Sequence, residues 1–165
     1  MRLNRSLSYM LAALLVVACT TAGSAEALIK TESDGLALSE ATLLYDRTGP
    51  SSGATTDCLG IGTERWYGSD MNFGSLDEKY KRLLQQNGWK IWPEDVGTIW
   101  RKQTEKGLFT FSLEDLTDSK ALEVYQWANG SLPDTLLKSA QKYATTYVAH
   151  LSYMQPSVAK HCFGK

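Results

Sequence analysis

The clearest hydrophobic pattern in the chain predicts a helix over SLDEKYKRLLQQNGW, residues 75–89. Four apolar residues recur there at the spacing of one helix face: Leu76, Tyr80, Leu83 and Leu84. Ser75 is followed three residues later by Glu78, which matches a capping box, so we expect Ser75 to cap the first turn. Asn87-Gly88 supplies residues that tolerate the left-handed conformation at a helix end. The sequence therefore predicts a helix with both ends marked.

Alternating apolar and polar residues predict strands on both sides of that helix. Residues 63–67 precede it, and three aromatic-rich segments follow it: WKIWP, TIWRK and LFTFSL. The connections PEDVG and QTEKG are short and contain turn residues, which favours antiparallel hairpins. Residues 39–46 are expected to form a short helix or strand. RTGPSSGATTDC, which follows them, has the composition of a loop because it is rich in Gly, Pro, Ser and Thr.

Helix and strand signals compete towards the end of the chain. KALEVYQWA is predicted to be helical because Asp118 can cap it and Asn129-Gly130 can end it. Apolar residues then recur at helical spacing, but TTYVAHLSYM is dense in β-branched and aromatic residues. We predict a helix from Ser131 to about Tyr143, followed by a strand to Met154.

These elements predict a two-layer α+β domain, an antiparallel sheet of four to five strands with two or three helices packed on one face. Five Trp, eight Tyr and four Phe support a packed interior. The order of a strand, a capped helix ending in NGW and an aromatic hairpin resembles small uncharacterised extracytoplasmic bacterial proteins. That resemblance implies no function.

The first residues have the organisation of a bacterial export signal. Arg2 and Arg5 are positive, and residues 7–18 are apolar apart from Ser8. That run is shorter than the roughly 20 residues a spanning helix needs, and it matches the hydrophobic region of a signal peptide. Cys19 follows directly after Val16-Val17-Ala18, and this segment resembles the lipobox of bacterial lipoproteins.

The resemblance implies that the Cys19 sulfur receives a diacylglycerol and that the chain is cut just before Cys19. Residues 1–18 would then be a signal peptide, residues 19–35 a lipidated cysteine with a polar tether, and residues 36–165 a single globular α+β domain. The implied location is the cell envelope, lipid-anchored to a membrane and facing away from the cytoplasm. The alternative is a secreted protein, cut by an ordinary signal peptidase after Ala25 or Ala27.

With Cys19 assigned to lipid, we predict a disulfide between the two remaining cysteines, Cys58 and Cys162, because exported proteins meet an oxidising environment. The bridge would close a loop of about 105 residues and stabilise the fold by roughly 4–5 kcal/mol in the chain-entropy model. A metal site using Cys58, His161 and Cys162 is a weaker alternative because it lacks a paired-ligand spacing. No nucleophile signature surrounds either cysteine, so the sequence predicts neither thiol catalysis nor a metal or other cofactor.

An aromatic set is the most suggestive candidate surface for a ligand or partner: Trp66, Tyr67, Trp89, Trp92 and Trp100. On a sheet face away from the helices, these residues would form a platform that stacks sugars or a partner's apolar surface. The alternative is that alternating aromatics fill the core and its rim. A further set of residues would place cations beside the platform: Arg65, Arg101 and Lys102.

Acid–base chemistry has weaker candidates. Glu64 and Asp70 have no partner recognisable in the sequence, so no catalytic residue is assigned. Asp77 and Glu78 are better explained as favourable charges in the first turn of a helix. His150 falls in the aromatic C-terminal segment and is expected to lie on one face of a strand.

Loss of residues 1–18 would change the formal net charge from −1 to −3, so nothing electrostatic favours a nucleic acid as partner. The sequence predicts a cell-envelope lipoprotein with a small binding or accessory domain. Its partners would be the membrane, through the lipid anchor, and another envelope protein or a glycan. One alternative is a structural or assembly accessory without a small-molecule ligand. The other is an extracytoplasmic hydrolase with an unrecognised acid–base pair.

Overall fold

The structure, a computed structural model, describes residues 24–51, 60–92 and 98–163. The elements are α1 (24–35), β1 (Thr42–Ser51), β2 (Gly60–Ser69), α2 (Phe73–Gln86), β3 (Lys90–Trp92), β4 (Ile99–Thr104), β5 (Gly107–Asp115), α3 (Ser119–Asn129), α4 (Asp134–Ala140), β6 (Thr145–Met154) and α5 (Pro156–Phe163). The six strands form one sheet in the order β1-β2-β6-β5-β4-β3. Every neighbouring pair is antiparallel.

The α+β class with an antiparallel sheet is confirmed, and the sheet is larger than predicted because β1 joins it. β1 pairs with β2 from Thr42↔Gly68 to Ser51↔Gly60. The prediction of a loop is therefore wrong for residues 47–51, while residues 52–58 lie outside the described part of the chain. β1 is an edge strand, and an edge tolerates Pro50 because its outward side needs no ladder donor.

Helices cover both faces of the sheet, so the prediction of helices on one face is wrong and the domain has three layers. Two neighbouring residues of β6 show the division. Tyr147 packs against Tyr80 of α2, with ring centroids 6.0 Å apart. Val148 belongs to a separate cluster with Tyr125 of α3 and Leu136 of α4. Because consecutive strand residues point to opposite faces, the apolar run in β6 needs a cover on each side.

Helix α1 is part of the folded domain, although residues 20–35 were predicted to be a tether. Ala25 and Ile29 are buried in the cluster that α2 forms with the sheet. The later part of α1 is tied to the sheet by charge: Glu32 lies 2.6 Å from Lys102, and Asp34 lies 2.7 Å from the buried Arg65. The domain therefore begins before residue 36, and the tether prediction is wrong for residues 24–35.

The ends of α2 and α3 are those that the local sequence predicts, with one exception. The predicted end of α2 is confirmed, since Gly88 has φ +79°. Its start is different, because Asn72 Oδ1 accepts from the Ser75 backbone N–H at 2.9 Å and α2 begins at Phe73. Asn is as good an N-cap as Ser, and Asn72 lies one turn earlier, so Ser75 is not the cap. The cap predicted for α3 is confirmed, since Asp118 accepts from the Lys120 backbone N–H.

The competition near the C-terminus is resolved as predicted, with a helix followed by a strand. α4 (Asp134–Ala140) is shorter than the predicted helix because it begins only after Pro133. β6 then covers the β-branched and aromatic segment. α5 follows and packs Ala159 against Leu108 and Met154, at the end of the sheet where β5 begins and β6 ends.

Candidate functional site

The predicted aromatic platform lies mostly in the core. Four of its five members are at most 4% exposed: Trp66, Tyr67, Trp89 and Trp100. Trp66 and Tyr67 also belong to clusters on opposite faces of the sheet. The fifth, Trp92, is partly buried, with the Arg101 guanidinium against its ring. The platform prediction is therefore wrong for the four buried residues, because their surfaces pack against other side chains.

A row of four ionisable side chains crosses the sheet on the face that α3 covers. Arg47 of β1 pairs in register with Glu64 of β2, and Glu64 pairs with His150 of β6. Arg47 Nη2 lies 2.6 Å from Glu64 Oε2, and His150 Nδ1 lies 3.9 Å from Glu64 Oε1. On the far side, His150 Nε2 lies 3.5 Å from Glu114 Oε2 of β5. The strand register builds this row, because Arg47, Glu64 and His150 are directly opposed. Glu114, opposite Val148, reaches His150 diagonally on the same face.

Glu64 is the fixed centre of the row. Tyr125 of α3 donates its hydroxyl hydrogen to Glu64 Oε2 at 2.9 Å, the oxygen that Arg47 also binds. The Tyr125 ring packs edge-on against Trp66, with ring centroids 4.9 Å apart. Burial, followed by the nearby Glu64 carboxylate, raises the pKa of Tyr125, so its hydroxyl stays protonated and donates at neutral pH. Side chains from β1 and α3 therefore hold a carboxylate on β2.

Beside this row lies a groove of about 530 Å³. Its lining includes Arg47, Gly49, Glu64, Asn129 and His150, together with Ser51 and Ser152. A Cβ atom added to Gly49 would meet no atom within 4 Å, so the groove is open above β1. Ser51 Oγ is buried and has no hydrogen-bond partner among the described residues.

The groove combines hydrogen-bond donors and acceptors whose charges are already balanced. Arg47 and the Asn129 amide donate, while Glu64 and the Asn129 carbonyl accept. Because Arg47 is paired with Glu64, it presents no uncompensated positive charge for an anion. Within residues 24–51, 60–92 and 98–163, no three His, Cys, Asp or Glu side chains come together as a metal site would need. The arrangement suits an uncharged ligand rich in hydroxyl groups.

The sequence identified only part of this site. Glu64 was named as a carboxylate without a visible partner, and His150 was expected on a strand face, which is confirmed. Arg47 and Gly49 were missed because they lie in a segment with the composition of a loop. Tyr125 was placed in a helix, but its contact with Glu64 joins residues 61 positions apart. No local pattern marks such a contact; only the register and the packing of α3 reveal it.

The other candidate carboxylates lie away from the groove. Asp77 and Glu78 each lie 2.8 Å from Lys81, so they form ion pairs along α2. Because α2 begins at Phe73, both lie beyond its first turn, and the first-turn explanation is wrong for them. Asp70 is exposed just after β2 ends. None of the three lines the groove.

Cys19 and Cys58 lie outside the described residues, so lipidation and the disulfide stay predictions. Cys162 lies in α5 and is partly buried. The sheet register places Ile61, three residues after Cys58, directly opposite Tyr153 near the end of β6. α5 starts shortly after β6 ends, so the first residues of β2 and the start of α5 lie at the same end of the sheet.

Among the described residues, no helix is both long enough and apolar enough to cross a membrane. Comparison of the chain with protein-family models, with curated proteins and with solved structures gives no match. Function is therefore inferred from the groove and from the N-terminal sequence, because a fold by itself does not define an activity.

Proposed function

We propose that this protein is a cell-envelope lipoprotein, anchored through acylated Cys19, whose domain binds a glycan in the groove beside Glu64. The observation that carries the binding proposal is the fixed Glu64 carboxylate, held by Arg47 and Tyr125 at the wall of an open polar groove. Holding a carboxylate in place before binding reduces the ordering cost that a ligand must overcome.

Helix α1 favours the lipobox over the secretory alternative. Ala25 lies in α1 and is 4% exposed in the main hydrophobic cluster. Cleavage after Ala25 or Ala27 would remove that buried side chain and the first helical residues from the mature domain. Cleavage before Cys19 would leave all of residues 24–35 in place. The location of this helix therefore supports the proposed lipid anchor.

The chemistry of the groove favours a glycan over an anion or a metal ion. Sugar hydroxyls both donate and accept hydrogen bonds, and the groove offers both kinds of partner within one wall. An anion would compete with Glu64 for Arg47 and would then face the Glu64 carboxylate.

Titration of the mature protein with soluble oligosaccharides released from bacterial cell walls tests the binding proposal. Chemical-shift changes measured by NMR should centre on Glu64 and His150. Glu64→Gln removes the charge, and Gly49→Val fills the open groove; each should weaken binding at least about tenfold, equivalent to about 1.4 kcal/mol. Thr42→Val is the matched control. Thr42 lies at the exposed start of β1, the strand that contains Gly49, and the variant should bind normally. Shift changes located away from β1, β2, β6 and the second half of α3 would contradict the proposal.

A hydrolase is the second candidate because Glu64 and Glu114 lie on opposite sides of His150. Two carboxylates beside a bound glycan are the usual machinery of glycoside hydrolysis. The same oligosaccharides, incubated with the protein and analysed by mass spectrometry, distinguish the two candidates. Shortened products that disappear with Glu64→Gln would establish hydrolysis, whereas binding without shortening supports a binding domain.

A further inference from the structure

Helix α3 carries an exposed apolar strip on its outer surface. Trp127 is 89% exposed and Val124, one turn earlier, is 57% exposed. Tyr125 on the same helix points inward and is 1% exposed, so the exposed pair lies on the side away from the sheet. Neighbouring exposed apolar side chains of this size often mark a surface that contacts a partner or a membrane. We call Val124 and Trp127 the α3 strip.

The chain between the proposed anchor and the fold is short. Residue 24 already belongs to α1, and it lies five residues after Cys19. An extended chain spans at most about 3.3–3.6 Å per residue, so the lipidated sulfur would lie within about 20 Å of the start of α1. The anchor would therefore keep the domain against the bilayer and limit which surfaces can face away from it.

The α3 strip lies towards the same end of the sheet as the start of α1. Leu28 of α1 shares a cavity wall with Lys106 and Phe109. Asn129, two residues after Trp127, shares the groove wall with Ser152 on the other face. Phe109 pairs with Tyr153, which neighbours Ser152 in β6. The cavity wall near α1 and the groove wall near α3 therefore lie at nearly the same position along the strands. A bilayer at this end can contact both helices.

We propose that the α3 strip contacts the bilayer to which Cys19 is anchored, an inference that rests on the lipid anchor of the proposed function. Tryptophan suits this contact because its ring is apolar while its N–H can bond at the headgroup level. The expected partner of the α3 strip is therefore a lipid surface, which the lipid anchor holds close to the domain.

Quenching of tryptophan fluorescence tests the contact. The mature protein is purified from membranes, its acylation is verified by intact mass, and it is reconstituted into vesicles of phosphatidylethanolamine and phosphatidylglycerol. Half of the samples contain lipids with brominated acyl chains, which quench tryptophans that touch them. The emission lost on Trp127→Phe substitution defines the Trp127 signal. We expect brominated lipid to remove at least half of that signal and to leave the emission of the Trp127→Phe variant unchanged.

A second reporter provides the matched control. Ile91 is 55% exposed on β3, at the edge of the sheet opposite to β1. A tryptophan introduced as Ile91→Trp in the Trp127→Phe background should not be quenched. Equal quenching at both positions, or none at Trp127 in an acylated protein, would overturn the inference and leave the anchor intact. A Trp127 signal that changes only when a second envelope protein is added would also overturn it, in favour of a protein partner. A mature mass without acyl chains would refute the anchor, and the inference with it.

Discussion

The hydrogen bond between Tyr125 and Glu64 gives the sharpest test of how the site is built. Tyr125→Phe removes the hydroxyl that lies 2.9 Å from Glu64 Oε2 and keeps the ring that packs against Trp66. A hydrogen bond to a charged group contributes about 1.5–3 kcal/mol. The Glu64 side chain is 23% exposed, so water replaces part of the lost bond. We therefore expect the free energy of unfolding to fall by about 1.5–2 kcal/mol.

A double-mutant cycle separates this bond from general effects of the substitution. In a Glu64→Gln background the acceptor is neutral, and the same hydroxyl should contribute only about 0.5–1 kcal/mol. Urea unfolding of the four proteins should thus give a coupling free energy of about 1 kcal/mol. Tyr153→Phe is the control, because Tyr153 donates to the Lys106 carbonyl on the other side of the sheet. Its effect should be the same in both backgrounds.

One outcome of the double-mutant cycle would contradict this reasoning. A coupling free energy below about 0.3 kcal/mol would be indistinguishable from additivity. That result would mean that the Tyr125 hydroxyl does not hold the Glu64 carboxylate in solution. The carboxylate would then not be fixed before binding, and the main support for the groove as a binding site would be lost.

Three further predictions concern stability. Burial raises the pKa of Tyr147 to about 12; its contribution is fully present below about pH 10, the unfolded value, and falls by about 1.4 kcal/mol by pH 11, which urea unfolding at pH 8 and pH 11 would detect. Gly68→Ala would drive a Cβ atom into the Tyr143 ring and cost about 1–3 kcal/mol, seen as a lower urea midpoint with an unchanged slope. Reduction should lower the stability of the oxidised protein by roughly 4–5 kcal/mol and should not affect a variant lacking Cys58 and Cys162; equal responses would refute the disulfide.

The elements that could be predicted are those whose signals are local. The end of α2 at Asn87-Gly88 and the Asp118 cap of α3 each depend on residues within one turn, and both are confirmed. β6 could be distinguished from a helix because β-branched and aromatic side chains pack well on a sheet. β1 was missed in part, because Gly49 and Pro50 suit a loop until an edge position makes them acceptable in a strand.

The sequence by itself determined the positions of most strands and helices, the mixed fold class and the export signal expected at the N-terminus, because these depend on spacing and composition within short segments. Only the tertiary structure decided that helices cover both faces, that residues 24–35 belong to the domain, and that most of the aromatic set is core. It also decided the site, since Arg47 and Tyr125 reach Glu64 from 17 and 61 residues away. Such contacts depend on strand register and on helix packing across the sheet, which are properties of the whole fold.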